Sequence, residues 1–256
     1  MEKTFFEWVI IIIERYGMWF LKGTGVTLLI SFVSTFVGFF IGLALGAIKT
    51  LPKQKNKIKK FFMSVVNCLI TCYVEIFRGT PMMVQSIVIY FGMQELMGVS
   101  FSPIMAGILI VSINTGAYMI EVVRGGIQSV DPGQAEAAKA IGMTQFQIMI
   151  HIVLPQAVRN ILPAIGNEFI INIKDTSVLN VIAVTELFFV TNSIKGAIYR
   201  TYETFIISAI IYFILTLIVT RILKVVEKRV DGNKYFTLNT SSTTPATIFK
   251  KQKRCK

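Results

Sequence analysis

The sequence predicts an all-α membrane protein with five transmembrane helices, and three observations carry that expectation. Hydrophobic residues make up 54% of the chain and charged residues 16%, with a mean hydropathy of +0.65, far from the balance of a soluble domain. Five apolar runs reach the roughly 20 residues that a helix needs to cross a hydrocarbon core. Basic residues gather in short connections and at the C-terminal end.

Residues 1–22 read as an external N-terminal segment. The stretch 5–20 lacks the basic lead and small-residue cleavage site of a signal peptide. It reads as an interfacial helix, with Glu7, Glu14 and Arg15 in water and Phe5, Trp8, Ile12 and Trp19 among the headgroups. The transmembrane domain covers 23–226. Its first span, 23–48, repeats Gly38, Gly42 and Gly46 every fourth residue, a small-residue face for close packing on another helix. The second, 61–92, is too long to be simple, and Gly79-Thr80-Pro81 should break it. The third is 101–123. Lys174-Asp175 interrupts the fourth, 161–190, which should bend or break there. The fifth is 205–226. Residues 227–256, with Ser, Thr, Asn and a terminal basic cluster, read as a disordered tail.

Charge orients these spans, because short loops rich in Lys and Arg stay in the cytoplasm. The 49–60 loop carries Lys49, Lys53, Lys55, Lys57, Lys59 and Lys60 without an acid, so it belongs inside. Alternation then puts the N-terminus outside, the 124–160 loop inside and the C-terminus in the cytoplasm. These loops and the tail explain much of the net charge of +12, so no nucleic-acid partner is required. The basic end of the tail reads as a contact with anionic lipid rather than with RNA.

The 124–160 loop has a structure of its own. Asp131-Pro132 is an N-cap followed by a ring preset for the first helical position, the residues after it are mostly strong helix formers, and Gly142 can supply a left-handed stop. The element should be short, smooth-faced and exposed. Pro155, after a mostly apolar run, should mark the bend back to the membrane. Helix signals alone favour an ordinary cytoplasmic loop helix.

The full pattern is narrower: Glu136-Ala137-Ala138, then Gly142, then Ile152, Leu154 and Pro155. It resembles the signature loop of ATP-binding-cassette importer permeases. Tyr73-Val74-Glu75-Ile76-Phe77-Arg78-Gly79-Thr80-Pro81, Asn114-Thr115-Gly116-Ala117-Tyr118 and Ile173-Lys174-Asp175-Thr176-Ser177 resemble the polar amino acid permeases of that group, with similarity from about Gly23 to about Arg229. The resemblance implies a type I importer permease fold in the plasma (inner) membrane. It also implies that the segment from Glu136 to Gly142 docks as a coupling helix into an ATPase subunit. The implied partners are two ATPase subunits, a second permease identical or similar to this one, and an extracellular binding protein that delivers a polar amino acid.

The chain itself should be no enzyme. It has no Gly-rich phosphate loop, so ATP hydrolysis falls to the separate ATPase, and no cofactor is expected. His151 is the only histidine and Cys68, Cys72 and Cys255 the only cysteines, which leaves no metal or nucleophile set. Cys68 and Cys72 read as small packing residues, and His151 as a loop residue at the membrane surface.

Polar groups within the spans are costly in lipid and point to a cavity or a partner. At about 1.5 Å per residue, Asn167 and Glu168 lie roughly 15 Å above the cytoplasmic end of their span, near the midplane of a core about 30 Å thick. Asn114 reaches a similar level and Glu75 lies further out. A zwitterion needs a carboxylate for its ammonium, so Glu75, Asn114, Asn167 and Glu168 are the pathway candidates. Structural alternatives stand beside them: Glu75 and Arg78 can pair on one helix face, and Asn114 can bond across helices. Arg78, Lys174 and Asp175 read as a gate or a subunit contact. The alternative function is an ion-coupled secondary carrier, which would leave the cytoplasmic loop pattern unexplained. An intramembrane enzyme would need reactive groups that the chain lacks.

Overall fold

A computed structural model describes residues 4–51 and 56–231, and nearly all of them are helical. Lys53, Lys55, Cys255 and the tail beyond residue 231 lie outside the described residues. In chain order the helices are α1 (Phe5–Lys49), α2 (Lys57–Gly79), α3 (Met82–Met97), α4 (Pro103–Gln128), α5 (Pro132–Ala140) and α6 (Gln145–Ile148). A π turn (Met149–Val153) leads into α7 (Leu154–Asp175), a 3₁₀ turn (Thr176–Ile182), α8 (Leu187–Ile198) and α9 (Thr201–Asp231). Five segments are long and apolar enough to cross a membrane: α1, α2, α4, the run Gln145–Ile182, and α9.

The N-terminal segment is not a separate interfacial helix. Thr4 and Glu7 form a capping box, and α1 runs unbroken for 45 residues, about 66 Å at 1.5 Å per residue. Ile12 and Phe20 are buried against Leu187, Ile194 and Ile207, and the Arg200 guanidinium lies 4.6 Å from the Trp8 ring centre. Trp8 and Ile12, expected among the headgroups, therefore help seat α1 on α8 and α9, whereas Trp19 is 54% exposed. Nothing between Phe20 and Gly23 stops the helix, and a side chain at Gly23 would meet the Leu187 backbone at 3.0 Å.

The α1–α4 interface is the most extensive among the described residues, and the glycine repeat makes it. A Cβ at Gly38 would come 2.8 Å from Thr115, one at Gly42 2.3 Å from Met119, and one at Gly46 3.0 Å from Val123. Backbone thus lies against side chain where bulk is missing, as small-residue stripes allow in membranes. Some hydroxyls in these helices satisfy themselves, as Ser31, Thr35 and Ser112 do by donating to the carbonyl four residues back, while Ser34 donates across to the Ile108 carbonyl on α4 at 3.1 Å.

Both predicted breaks are present. α2 stops at Gly79, and Pro81 caps α3. α7 ends at Asp175, where the 3₁₀ turn begins. The fourth crossing starts well before residue 161, because helix continues from Gln145 through the π turn. Pro155 therefore lies inside a continuous rod, and the chain reverses at Gly142–Thr144 instead. The wider turn accommodates a proline whose ring would otherwise meet the carbonyl of His151. His151 is exposed and its Nδ1 lies 3.1 Å from the Gln147 carbonyl. Cys68 and Cys72 do not pack internally; both are exposed on α2. α9 extends through Asp231, past the residue where disorder was expected to begin.

Candidate functional site

Two features stand out, one at the end of the bundle that carries α5 and one within it. At the first, the Asp131 carboxylate accepts from the Gly133 N–H at 2.8 Å and caps α5. Gly142 at φ 85° closes it. Its N–H donates to the Lys139 carbonyl and the Met143 N–H to the Ala138 carbonyl, both at 3.1 Å, a Schellman stop that favours glycine. Thr144 and Gln147 cap the next helix reciprocally.

Of the predicted coupling residues, Glu136, Ala137, Gly142 and Pro155 are exposed and Ile152 and Leu154 half-buried. Ala138 instead roots α5 in a core with Val123, Ile127, Ile148, Val153, Ala157 and Ile161. That core joins α5 to the end of α4 and the start of α7, and Asn160 donates to Ser129 Oγ at 2.9 Å. Sequence reasoning missed two neighbours: Ile141 is 79% and Phe146 73% exposed. Their signal was bulk without a place in the local apolar period. It also missed Glu121, which binds Lys49 at 3.1 Å and Arg124 at 2.7 Å and ties the end of α1 to α4.

The second feature is a cavity of about 340 Å³ at the α2–α3 break, lined by Thr80, Pro81, Met82, Asn114, Tyr118, Glu168, Ile171, Asn172 and Asp175. The break leaves α2 carbonyls without helical partners. Gln85 Nε2 donates to the Phe77 and Thr80 carbonyls at 2.9 Å, while Asn114 Nδ2 donates to Gln85 Oε1 at 2.9 Å and to the Phe77 carbonyl at 3.2 Å. Asn114 is thus a cross-helix bond and a cavity wall at once. Asn172, absent from the predicted set, donates to Thr35 Oγ1 at 2.8 Å and Thr115 Oγ1 at 3.0 Å, locking α7 to α1 and α4.

Glu168 is half-buried and Asp175 exposed, and both line the cavity without a hydrogen bond or ion pair inside the protomer among the described residues. Arg78 sits 5.2 Å from the centre of the Tyr118 ring, at the cavity edge. The arrangement offers two carboxylates and an amide to a cationic group, with a guanidinium nearby. Glu75, Asn167 and Lys174 are exposed and do not line it. The predicted Glu75–Arg78 pair is absent; the ion pairs among the described residues are Lys49–Glu121, Arg124–Glu121 and Arg200–Glu203.

Residues 38–232 match the family model described as a binding-protein-dependent transport system inner membrane component. The chain is 35% identical over 215 residues to the arginine transport system permease protein ArtQ of Bacillus subtilis (strain 168), covering 83% of this chain and 93% of that one. It is 37% identical over 226 residues to the nopaline transport system permease protein NocM of Agrobacterium fabrum (strain C58), covering 85% and 89%. Among solved structures, a chain of an amino acid ABC transporter crystallised with histidines is 36% identical, with a TM-score of 0.75 over 90% of this chain and all of that one. A chain of the MetNI methionine ABC transporter in an inward-facing conformation shares the fold at 22% identity and a TM-score of 0.70.

Proposed function

The chain belongs to the family of inner membrane components of binding-protein-dependent transport systems, and from that membership we propose that it is the permease through which an ATP-driven importer passes a polar amino acid. It is a multi-pass protein of the inner membrane and a transport subunit. Its relatives favour this reading over an ion-coupled carrier. The partners in this proposal are two ATPase subunits, a second permease and an extracellular binding protein, with no cofactor held by the chain itself.

The observation that carries the mechanism is the shared core beneath α5. Ala138 sits among residues from the end of α4 and the start of α7, and those same helices carry Asn114 and Glu168 to the cavity. A push on α5 from a docked ATPase therefore moves both cavity walls, since packed cores shift between discrete arrangements rather than stretching. In this proposal Glu136, Ala137, Gly142, Ile141 and Phe146 meet the ATPase, with Ile152, Leu154 and Pro155 as the base of the lever. Nucleotide closure and release then expose the cavity to alternate sides, and the solute crosses chemically unchanged.

Glu168 and Asp175 supply charge for the ammonium or a cationic side chain of the solute, and Asn114 a polar wall. Arg78 and Lys174 stand at the edge, as parts of a gate or a contact with the second permease. Glu75 and Asn167, outside the cavity, are assigned to the solute route beyond it. Reconstitution with the ATPase and binding protein tests the proposal. Uptake should require ATP, and Glu168→Gln should lower it while the complex still assembles. Uptake driven by an ion gradient alone would end this reading, and wild-type uptake by the variant would remove Glu168 from the route.

A further inference from the structure

The surface of α2 that faces away from its own protomer is divided lengthwise. Ile58, Phe62, Val65, Leu69 and Ile76 are exposed along one strip. Ser64, Cys68, Thr71, Glu75 and Arg78 recur at alternating spacings of four and three along the neighbouring strip, so they share a single face. All of these are exposed except the half-buried Thr71. An apolar strip suits lipid. A strip with a hydroxyl, a carboxylate and a guanidinium does not.

A second observation is independent of that pattern. Elsewhere Ser31, Thr35, Ser112 and Thr191 bond to the carbonyl four residues back, which lets a hydroxyl sit in hydrocarbon. Ser64 and Thr71 make no hydrogen bond among the described residues, and Glu75 has neither a hydrogen bond nor an ion pair there. At its upper end the strip meets the cavity through Arg78, 5.2 Å from the ring centre of Tyr118, itself a cavity wall. From Arg78 to Ser64 it runs 14 residues, about 21 Å at 1.5 Å per residue, toward the lysine-rich start of the helix.

We propose that this strip is one wall of the aqueous passage from the cavity to the cytoplasm, wetting the Ser64 and Thr71 hydroxyls and the Glu75 carboxylate. The inference rests on the importer reading and adds to it the inner half of the solute route. Cys68 is a native reporter in the middle of the wall. The neighbouring apolar strip supplies its control.

The experiment uses the full chain with its partner subunits in inside-out membrane vesicles, carrying Cys72→Ala and Cys255→Ser so that Cys68 is the only thiol. A sulfonated, membrane-impermeant maleimide is added from the cytoplasmic side. Cys68 should be labelled at least about tenfold faster than a single cysteine from Leu69→Cys, made with Cys68→Ser in the same background. Ser64→Cys and Phe62→Cys form a second pair if either first variant fails to accumulate. Equal rates in both strips, or no reaction at the polar strip, overturns the proposal. ATP-dependent release of amino acid preloaded with the binding protein inside the same vesicles is scored separately, and its absence in wild type would sink the importer reading whatever the labelling ratio.

Discussion

Asn172 and Thr35 are 137 residues apart in the chain, yet the amide of one donates to the hydroxyl of the other at 2.8 Å. The same amide reaches Thr115, so a single buried side chain joins α7, α1 and α4 just behind the cavity. Interhelical polar contacts of this kind hold helices together in lipid, where apolar burial gives little preference for protein over tails.

Asn172→Ala should therefore leave the two threonine hydroxyls short of a partner and cost about 1–2 kcal/mol. Thermal unfolding of the detergent-solubilised protein should shift down by about 4 °C. An unchanged midpoint would show that the hydroxyls find other partners.

Gly42→Ala and Gly17→Ala should act in opposite directions. A Cβ at Gly42 would lie 2.3 Å from Met119, whereas nothing lies within 4 Å of one at Gly17. The first should cost about 1–3 kcal/mol by overpacking, and the second should gain about 0.5–1 kcal/mol from the backbone entropy of the unfolded chain. The same unfolding measurement on both variants reads the sign of each.

Glu186 is fully buried and accepts hydrogen bonds from the N–H groups of Phe188 at 2.8 Å and Phe189 at 2.7 Å and from the Tyr212 hydroxyl at 3.0 Å. It thus caps α8 and ties it to α9. Glu186→Ala removes the cap and leaves the half-buried donors of Phe188, Phe189 and Tyr212 without this acceptor, so a loss of about 2–4 kcal/mol is expected. Tyr212→Phe, which removes one donor with no acceptor left buried and empty beyond that carboxylate, should cost less than half as much in the same assay.

Ile141 and Phe146 flank α5 and are largely exposed. If they enter a groove of the ATPase subunit, Ile141→Ser with Phe146→Ser should weaken the complex by about 2 kcal/mol or more, roughly thirtyfold in Kd. Titration of the purified ATPase against permease in nanodiscs measures this, and an unchanged Kd would place the ATPase contact elsewhere.

Orientation has its own test. A thiol introduced by Ala137→Cys in a chain lacking the native cysteines should react with an impermeant maleimide in inside-out vesicles and stay silent in intact cells. Reaction from the exterior would invert the molecule.

Much of this was legible in the chain. Helix existence, the break at Gly79-Thr80-Pro81, the end of α7 at Lys174-Asp175, the Asp131 cap and the Gly142 stop are local events, set by the φ restriction of proline, side-chain capping and glycine's freedom at positive φ. So was the glycine stripe, because spacing alone puts Gly38, Gly42 and Gly46 on one face. Continuity of α1 was harder to read, since charges at Glu7, Glu14 and Arg15 suggest an interfacial helix yet nothing in them ends one.

Tertiary structure alone decided which polar groups meet. Asn114 finds Gln85, Glu168 shares a cavity with Asp175, and Asn172, Glu121 and Glu186 take roles that no motif announced. Glu75, a pathway candidate beside Glu168, ended on the outer strip of α2. The reason is physical: in a bilayer both the packed and the lipid-facing sides of a helix are apolar, so hydrophobic periodicity cannot tell which way a helix is turned. That rotation is settled by partners tens of residues away, and only the assembled bundle contains them.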